Sequence, residues 1–380
     1  MKIVCMKTNS GVQFFRYLTR LSCMFQFLRM YRHVTMIALF CLMLGAYLVL
    51  PTITSAHEVY VLSETEVSTA LASSPKPMLS TIDENFQDFV IWTLISVASV
   101  AAVFFISVLR FVEDFCNPFL VHIKQYAPVT SRVALGISLV ACAIYQSNFG
   151  PELPLTHSYG AYAPFAIAIL ALIGVMIIAG LFARIAAALA LGVYFVAAYH
   201  HGWYILSYAS YVGEIFALLL VGAHRFSLDR FLLPVPKHKH LLDTISPNIT
   251  PYAFMVLRVF FGISLIYSSY YAKVLHSGLA LTVVEKFDML HYFPFEPHFF
   301  VMGAAIIEIL AGVFFILGFE IRFTALFLCF WLTLSLMFFG EVTWPHIILF
   351  GIPIAFIFYG YDRYSVEGYF FKTKNREPIF

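Results

Sequence analysis

Charged residues are scarce in this chain. Lys, Arg, Asp and Glu together make up 12% of the 380 residues, whereas hydrophobic residues make up 61%. Soluble proteins carry about 25% charged and roughly 45–50% apolar residues. The shortage of charge therefore excludes a soluble enzyme, a nucleic-acid-binding protein and a disordered chain. It indicates a polytopic membrane protein whose first partner is the lipid bilayer.

Paired thiols and the common nucleotide-binding motifs are also missing. The six cysteines include no Cys-x-x-Cys pair, and none is placed for an extracytoplasmic disulfide. No P-loop, dinucleotide-binding glycine motif, Gly-x-Ser-x-Gly or His-Glu-x-x-His sequence occurs. The chain therefore lacks visible equipment for electron transfer on its own. This favours an accessory membrane subunit and leaves enzymatic activity open.

Long apolar runs are abundant. A helix needs about 20 apolar residues to cross the hydrocarbon core, because its backbone polar groups must be satisfied within the helix. We predict an all-α membrane protein with nine to ten helices, the count depending on whether the first run is retained. The runs are 34–56, 89–109, 133–149, 159–182, 185–199, 204–222, 252–272, 299–319, 323–339 and 342–361.

Basic residues cluster in alternate connections between these runs. Residues 1–33 contain six Lys or Arg and no acid, and basic residues recur in the connection 223–251 and in the C-terminal tail. Acidic residues dominate 57–88. Because Lys and Arg accumulate on the cytoplasmic side, we predict a multi-pass protein of a bacterial-type inner (plasma) membrane with a cytoplasmic C-terminus.

The first apolar run has the features of a signal peptide. It follows a basic segment and ends in Thr-Ser-Ala56 before His57, a small-residue cleavage pattern. An uncleaved signal anchor remains the alternative. Cleavage would leave nine helices.

Two segments of the chain are similar to each other. Residues 132–139 (RVALGISL) recur as 258–265 (RVFFGISL), and glycines and arginines further on recur at an offset of 138 residues. Such self-similarity indicates repeated structural units. We predict two parallel four-helix repeats within the following organisation: 1–56 signal peptide or anchor, 57–88 extracytoplasmic segment, 89–130 extra helix and cytoplasmic linker, 131–230 first repeat, 231–251 linker, 252–368 second repeat and 369–380 cytoplasmic tail.

The second repeat resembles the DoxX family of membrane proteins. The residues that carry the resemblance are Arg258, Gly262, Lys273, Glu308, Gly312, Gly318, Arg322, Gly360, Arg363 and Ser365. The first repeat departs from the pattern, because Leu170 replaces the Glu and Ser147 stands at the Lys position. The resemblance implies a membrane subunit linked to quinone-coupled or partner-linked redox processes.

Three charged residues, Glu214, Arg258 and Glu308, lie within the apolar runs, where a charge costs at least about 2.5–3.5 kcal/mol, and Lys273 ends the run 252–272 near the predicted outer face. We predict that Glu308, Lys273, Glu214 and Arg258 line a polar pocket between helices. The alternatives are structural: a protonated or Lys-paired carboxyl that holds helices together, a lysine that extends to the membrane interface, and an arginine that anchors the topology.

Eight of the 13 histidines fall on or near the predicted outer face. Imidazole is the commonest metal ligand in proteins, so His57, His200 and His346 are weak candidates for a metal site. No spacing matches a defined site, and scattered interfacial histidines are the alternative.

Three functions remain open from the sequence. The first is a subunit that supports a redox process, with quinone as the possible cofactor and a membrane-bound or periplasmic oxidoreductase as the possible partner. The second is a carrier for a small solute, a proton or a metal ion. The third is a structural assembly factor.

Overall fold

Helices supply the regular structure of the chain, and no strand occurs among the residues that the structure describes. A computed structural model describes residues 61–73, 78–109, 111–223, 226–229, 252–293, 295–362 and 364–370. All of them belong to one contact unit, Ile53–Phe380. The predicted leader and His57 lie outside the described residues.

The N-terminal half of the described chain contains nine α-helices. In chain order, with two short 3₁₀ turns at Gly160–Tyr162 and Gly202–Tyr208, they are α1 Glu64–Ala72, α2 Met78–Glu84, α3 Phe86–Leu109, α4 Phe111–Lys124, α5 Ala127–Ile144, α6 Leu155–Tyr159, α7 Ala163–Ala179, α8 Ala183–His201 and α9 Ala209–Val221.

The C-terminal half continues with seven described α-helices and one π-helical turn, Tyr270–Leu275, which directly follows the first of them. In chain order, the helices are α10 Ala253–Ser269, α11 Ser277–Lys286, α12 Met289–Tyr292, α13 Pro297–Leu317, α14 Ile321–Phe339, α15 His346–Tyr359 and α16 Val366–Phe370.

The predicted all-α membrane fold is confirmed. Seven helical stretches of the described residues are long and apolar enough to cross a membrane. One of them, Ala183–Val221, has 39 residues, about twice the length that one span needs. Arg184 near its beginning donates to the carbonyl of Leu219 near its end, so the two ends lie close together. The stretch therefore reverses direction, and it does so at Gly202, which has a φ of +57°. It therefore supplies two antiparallel helices, α8 and α9.

Two regions differ from the predicted spans. The run 342–361 contains the helix α15, which has only 14 residues. Residues 111–124, expected to be part of a linker, form α4, whose apolar and polar residues fall on different faces. Such a helix is typical of the membrane interface, and its last residue, Lys124, lies 5.3 Å from the centre of the Tyr359 ring.

The main helices pack in a reciprocal pattern. Within the first group of four, α5 packs on α7 and α8 on α9; within the second, α10 packs on α13 and α14 on α15. The last helix of each group packs on the first helix of the other, since α9 contacts α10 and α15 contacts α5. The two groups therefore share one interface rather than standing apart.

Glycines permit the closest helix pairs. A Cβ atom on Gly136 of α5 would clash with the carbonyl oxygen of Gly174 on α7. A Cβ atom on Gly262 of α10 would clash in the same way with the carbonyl oxygen of Gly312 on α13. Small residues of this kind let helices approach closely in membranes, so these glycines set the spacing of both pairs.

The residues inserted between α10 and α13 form the short helices α11 and α12. The N-terminal segment that contains α1 covers α11 through an apolar cluster of Val61, Leu62, Ala70, Leu279 and Val283. We call this end of the bundle the loop end; it also carries the connection 145–154. The opposite end, where Arg132 and Arg258 lie, is called the basic end.

Candidate functional site

An ion pair joins α13 to the turn that follows α10. The Nζ atom of Lys273 lies 2.9 Å from Oε2 of Glu308. Only 8% of the lysine side chain and 14% of the glutamate side chain are exposed. In a low-dielectric surrounding each charge offsets the cost of burying the other. From the sequence, Lys273 could extend either to the membrane interface or towards Glu308. In the structure it extends towards Glu308.

The local backbone explains how the lysine reaches its partner. Lys273 lies in the π-helical turn Tyr270–Leu275, and such wide turns often occur at functional sites. Glu308 lies near the middle of α13, one turn before Gly312. Because Gly312 packs against Gly262 of α10, the two helices run close together at this level, and their charged groups meet.

The ion pair lines a large, mainly apolar cavity of about 1030 Å³. Ligand sites usually measure about 300–1,000 Å³, so this cavity has the volume to accommodate a sizeable molecule. Its walls come mainly from the helices α3 and α10 to α14 and from the turn Gly202–Tyr208. Representative lining residues are Trp92, Tyr204, Tyr208, Tyr271, Lys273, Phe299, Met302, Glu308, Trp331, Ser335 and Glu341.

A second polar group borders the same cavity. Glu341 accepts a hydrogen bond of 2.6 Å from the Ser335 hydroxyl, and its Oε2 lies 2.8 Å from Nε2 of His346. The Nδ1 atom of His346 lies 2.9 Å from the carbonyl oxygen of Val342. Since a carbonyl only accepts, Nδ1 carries the hydrogen of that contact. Sequence reasoning missed Ser335 and Glu341.

Glu214 lies away from the cavity. It is buried in α9, and one carboxyl oxygen accepts a hydrogen bond from the hydroxyl of Ser131 on α5. The other carboxyl oxygen has no hydrogen-bond partner among the described residues. Glu214 therefore joins two helices of the first group and does not meet Lys273 and Glu308.

Arg258 also lies elsewhere, at the basic end. Its guanidinium group donates to the carbonyl oxygens of Phe315, Ile316 and Tyr364 at 3.0, 3.1 and 3.3 Å. Its Nε lies 3.6 Å from Asp362. The buried arginine closes the end of α13 against the segment before α16. Of the four residues expected in one polar pocket, the structure thus brings together Lys273 and Glu308.

The histidines form no metal centre among the described residues. His200 and His201 stand beside His157, with ring centres 6.3 and 5.2 Å away, and His201 shares a 3.1 Å hydrogen bond with Ser158. His346 is engaged with Glu341 as described above, and His57 lies outside the described residues. The weak candidates His200 and His346 therefore belong to separate groups.

The comparison with protein families concerns the part of the chain that carries this cavity. Residues 253–352 match the DoxX family model. The matched segment contains the Lys273–Glu308 ion pair and Glu341 of the cavity wall, together with the neighbouring His346. The expected resemblance of the second four-helix unit to DoxX proteins is confirmed for these residues, and the chain is a multi-pass membrane protein with a DoxX-like region.

The DoxX match leaves the first group of helices uncovered. Nothing in the match extends to α5, α7, α8 or α9, although Tyr204 and Tyr208, from the turn between α8 and α9, line the large cavity. No curated protein and no solved structure matches the chain. The chemistry of the cavity therefore rests on its own geometry.

Proposed function

We propose that this DoxX-like protein is a membrane subunit that binds a lipophilic quinone in its cavity and supports a redox process completed by a partner oxidoreductase. The ion pair of Lys273 and Glu308, buried in the wall of a cavity of about 1030 Å³, carries this proposal. A quinone interconverts with its quinol by exchanging two electrons and two protons. Lys273 and Glu308 can exchange protons with a ligand, and the apolar cavity beside them can accommodate its ring and tail.

The cavity lining fits a ring with a long apolar tail. Aromatic, aliphatic and methionine side chains supply most of the wall, and charged groups are confined to a few positions. Lys273 can donate to a carbonyl oxygen, and Glu308 can accept from a hydroxyl. The arrangement matches the general design of a ligand site, in which few polar groups orient an otherwise apolar molecule.

Helix α3 offers a route from the bilayer. Phe89, Trp92 and Val97 line the cavity, yet no residue in the best apolar window of α3 is buried. A loosely covered wall of this kind suits a ligand that dissolves in the membrane and enters from the side. A water-soluble solute would have no need of it.

We further propose that the two groups of four helices are tandem repeats. Arg184 donates to the carbonyl of Leu219, and Arg322 donates to the carbonyl of Ile357, both at 3.1 Å. Donor and acceptor of the second bond each lie 138 residues after their counterparts in the first. The amide of Asp229 donates to Gly180, and that of Glu367 to Gly318, both at 3.2 Å. These matched contacts support a common ancestry in which only the second unit kept the Lys and Glu pair.

The orientation is proposed from charge. The basic end carries α4 and the arginines, so we place it and the C-terminus in the cytoplasm of a bacterial-type inner membrane. A membrane-impermeant maleimide should label Glu285→Cys at the loop end of intact cells and leave Lys374→Cys unlabelled, in a background without native cysteines. The opposite labelling pattern would reverse the orientation.

Binding of a decyl-substituted benzoquinone to the purified protein tests the proposed function. Trp92 and Trp331 line the cavity, so bound quinone should quench tryptophan fluorescence in a saturable manner. Lys273→Met and Glu308→Gln should each raise the Kd about tenfold, equivalent to about 1.4 kcal/mol. Glu285→Gln, an exposed acid at the loop end, is the matched control and should bind like the wild type.

Two other results would overturn the quinone proposal. Absence of saturable quenching in the wild type, combined with solute uptake into vesicles, would favour a carrier. Loss of the folded protein in Glu308→Gln, with wild-type protein that binds no quinone, would favour a structural assembly factor. Mass spectrometry of the organic extract and of co-purified chains should identify native quinone and the oxidoreductase partner.

A further inference from the structure

The connection between α5 and α6 presents a carboxyl group that the cavity chemistry has not used. Gln146 and Phe149 adopt positive φ values, and the amide of Asn148 donates to Leu153 at 2.7 Å. This tight loop turns Glu152 towards the turn Gly202–Tyr208. Glu152 lies outside the apolar spans, at the loop end.

Two tyrosines point their hydroxyl groups at this carboxyl. Tyr204 donates to Oε1 of Glu152 at 2.9 Å, and Tyr208 donates to the same oxygen. Oε2 is closed off from solvent and has no hydrogen-bond partner among the described residues. Burial raises the pKa of Glu152, and the two tyrosine hydrogen bonds oppose the rise.

A glycine makes room for this contact. A Cβ atom on Gly150 would collide with the Tyr208 hydroxyl and would crowd Oε2 of Glu152. Any larger residue at 150 would therefore push the tyrosine or the carboxyl away. The spacing Gly-Pro-Glu at 150–152 is thus matched to the tyrosines of a distant turn.

The same residues separate two cavities. Glu152 lines a small cavity of about 230 Å³ at the loop end, together with Val67 and Leu71 of α1. Tyr204 and Tyr271 line both this small cavity and the large one, and Tyr208 lines the large one. The rings of Tyr204 and Tyr271 lie 4.9 Å apart between their centres. Glu152 and its two tyrosines therefore connect the large cavity to the small cavity at the loop end.

We propose that Glu152, with Tyr204 and Tyr208, forms a proton-release site through which protons leave the large cavity towards the loop end. The first group of helices would thus contribute a working part to the cavity of the second. This inference rests on the proposed quinone function, because oxidation of a quinol in the cavity is the source of the protons.

The transfer balances in protons and electrons. A quinol gives two electrons to an acceptor, which is the partner oxidoreductase in the cell or an electrode in the experiment, and it loses two protons as its O–H bonds break. For each proton, a tyrosine oxygen accepts it while the tyrosine's own hydroxyl proton passes to Oε1 of Glu152. The carboxyl then releases a proton to water in the small cavity and returns to its initial state.

The observed donor direction fits release. Both tyrosine hydroxyl groups donate towards Glu152, which is the arrangement that precedes proton movement from the cavity to the carboxyl. Residues facing Glu152 that could also titrate are Tyr204 and Tyr208 themselves, with Tyr271 on the shared wall. The other residues that line the small cavity are Val67, Leu71, Leu153 and Leu279, and none of them titrates.

Voltammetry of the full-length protein on an electrode, loaded with the decyl-substituted benzoquinol, tests this site. Glu152→Gln keeps an oxygen that accepts from both tyrosines but cannot carry a proton. We expect this variant to oxidise quinol about tenfold more slowly than the wild type at neutral pH. The difference between variant and wild type should be larger in D₂O than in H₂O, and the Kd from fluorescence quenching should be unchanged. Glu285→Gln should oxidise quinol at the wild-type rate in both solvents.

An unchanged oxidation rate in Glu152→Gln would overturn the proposal. If this variant loses thermal stability or quinone affinity instead, Tyr208→Phe decides the matter: slowed oxidation with unchanged affinity supports the release site, and wild-type oxidation overturns it. These outcomes differ from failure of the proposed function, in which the wild type itself binds no quinone.

Infrared titration provides a readout that needs no quinone. A protonated carboxyl of Glu152 should give a carbonyl band that persists to higher pH than an ordinary glutamate, shifts on transfer to D₂O, and is absent in Glu152→Gln. Glu214→Gln should retain the band, because that carboxyl lies elsewhere. A Glu152 band that never shifts in D₂O would show that water does not reach the carboxyl, and it would overturn the route.

Discussion

Lys273 and Glu308 face each other across the interface of α10 and α13, with 2.9 Å between Nζ and Oε2. The glutamate lies ten residues before Gly318, the residue that caps the C-terminal end of α13, and the lysine lies in a π-helical turn. Each charge would be costly alone in an apolar surrounding. Their contact explains why both are present, and their place in the cavity wall makes them available to a ligand.

Breaking this pair on one side should destabilise the protein. Lys273→Met or Glu308→Met should each lower the free energy of unfolding by about 3–5 kcal/mol, because the remaining charge stays buried without its partner. The double variant should regain most of the loss. The midpoint of thermal unfolding in detergent measures the effect. Single variants as stable as the wild type would show that water reaches both groups.

Substituting the paired glycines should push the helices apart. Gly262→Ala and Gly312→Ala place a methyl group against the carbonyl of the facing helix, and such overpacking costs about 1–3 kcal/mol. Gly303→Ala on α13 is the matched control, because its Cβ would meet nothing within 4 Å. The control should equal or exceed wild-type thermal stability, since alanine favours a helix over glycine by about 1 kcal/mol. Equal behaviour of all three variants would contradict close packing at this site.

Arg258 should not tolerate replacement by lysine. Its planar guanidinium donates to three separate carbonyl oxygens, and a single ammonium group cannot reproduce that fork. Arg258→Lys should cost about 2 kcal/mol or more, as a buried carbonyl is left unsatisfied. Lys286→Arg, a conservative change at an exposed ion pair, should be nearly neutral in the same thermal unfolding assay. A neutral Arg258→Lys would mean that the carbonyls find other donors.

The docking of α1 should depend on pH. Hydrogen bonds from Ser63 and the ion pair with Lys286 lower the pKa of Glu66 from 4.5 to about 2. Because the pKa is lowered in the folded state, the stabilisation is complete above about pH 4.5 and is lost as the pH falls towards 2. A spin label at Ser68→Cys on α1 should therefore gain mobility over this range. In Glu66→Gln the label's mobility should not change with pH between these limits, and a pH-dependent Glu66→Gln would contradict the assignment.

Much of the architecture was predictable because the bilayer limits what a sequence can do. Apolar runs near 20 residues specify helices, and all described spans fall on predicted runs. Glu308 was identifiable because charge is so unusual within such a run, and Lys273 because it ends one. The repeated RVxxGIS segment also indicated two corresponding helices, α5 and α10, in which Arg132 and Arg258 are each the sixth residue.

The partners of these residues were not predictable from spacing along the chain. Arg258 and Glu214 are charged residues in apolar runs, as Glu308 is. Arg258 nevertheless binds the end of α13, and Glu214 binds Ser131 on another helix. Glu341 and Glu152 lie in connections, where an acid is unremarkable, so no sequence signal distinguished them. Their significance arises from Ser335 and His346 in one case and from Tyr204 and Tyr208 in the other.

The sequence by itself determined the membrane class, the helices and the scarcity of charge that marks Lys273 and Glu308. The tertiary structure alone decided which charges meet, because an ion pair depends on distances of about 3 Å between atoms that belong to different helices. It also decided that a loop of the first helix group reaches the cavity of the second. Packing between helices, and not the order of residues, places Glu152 beside Tyr204 and Tyr208.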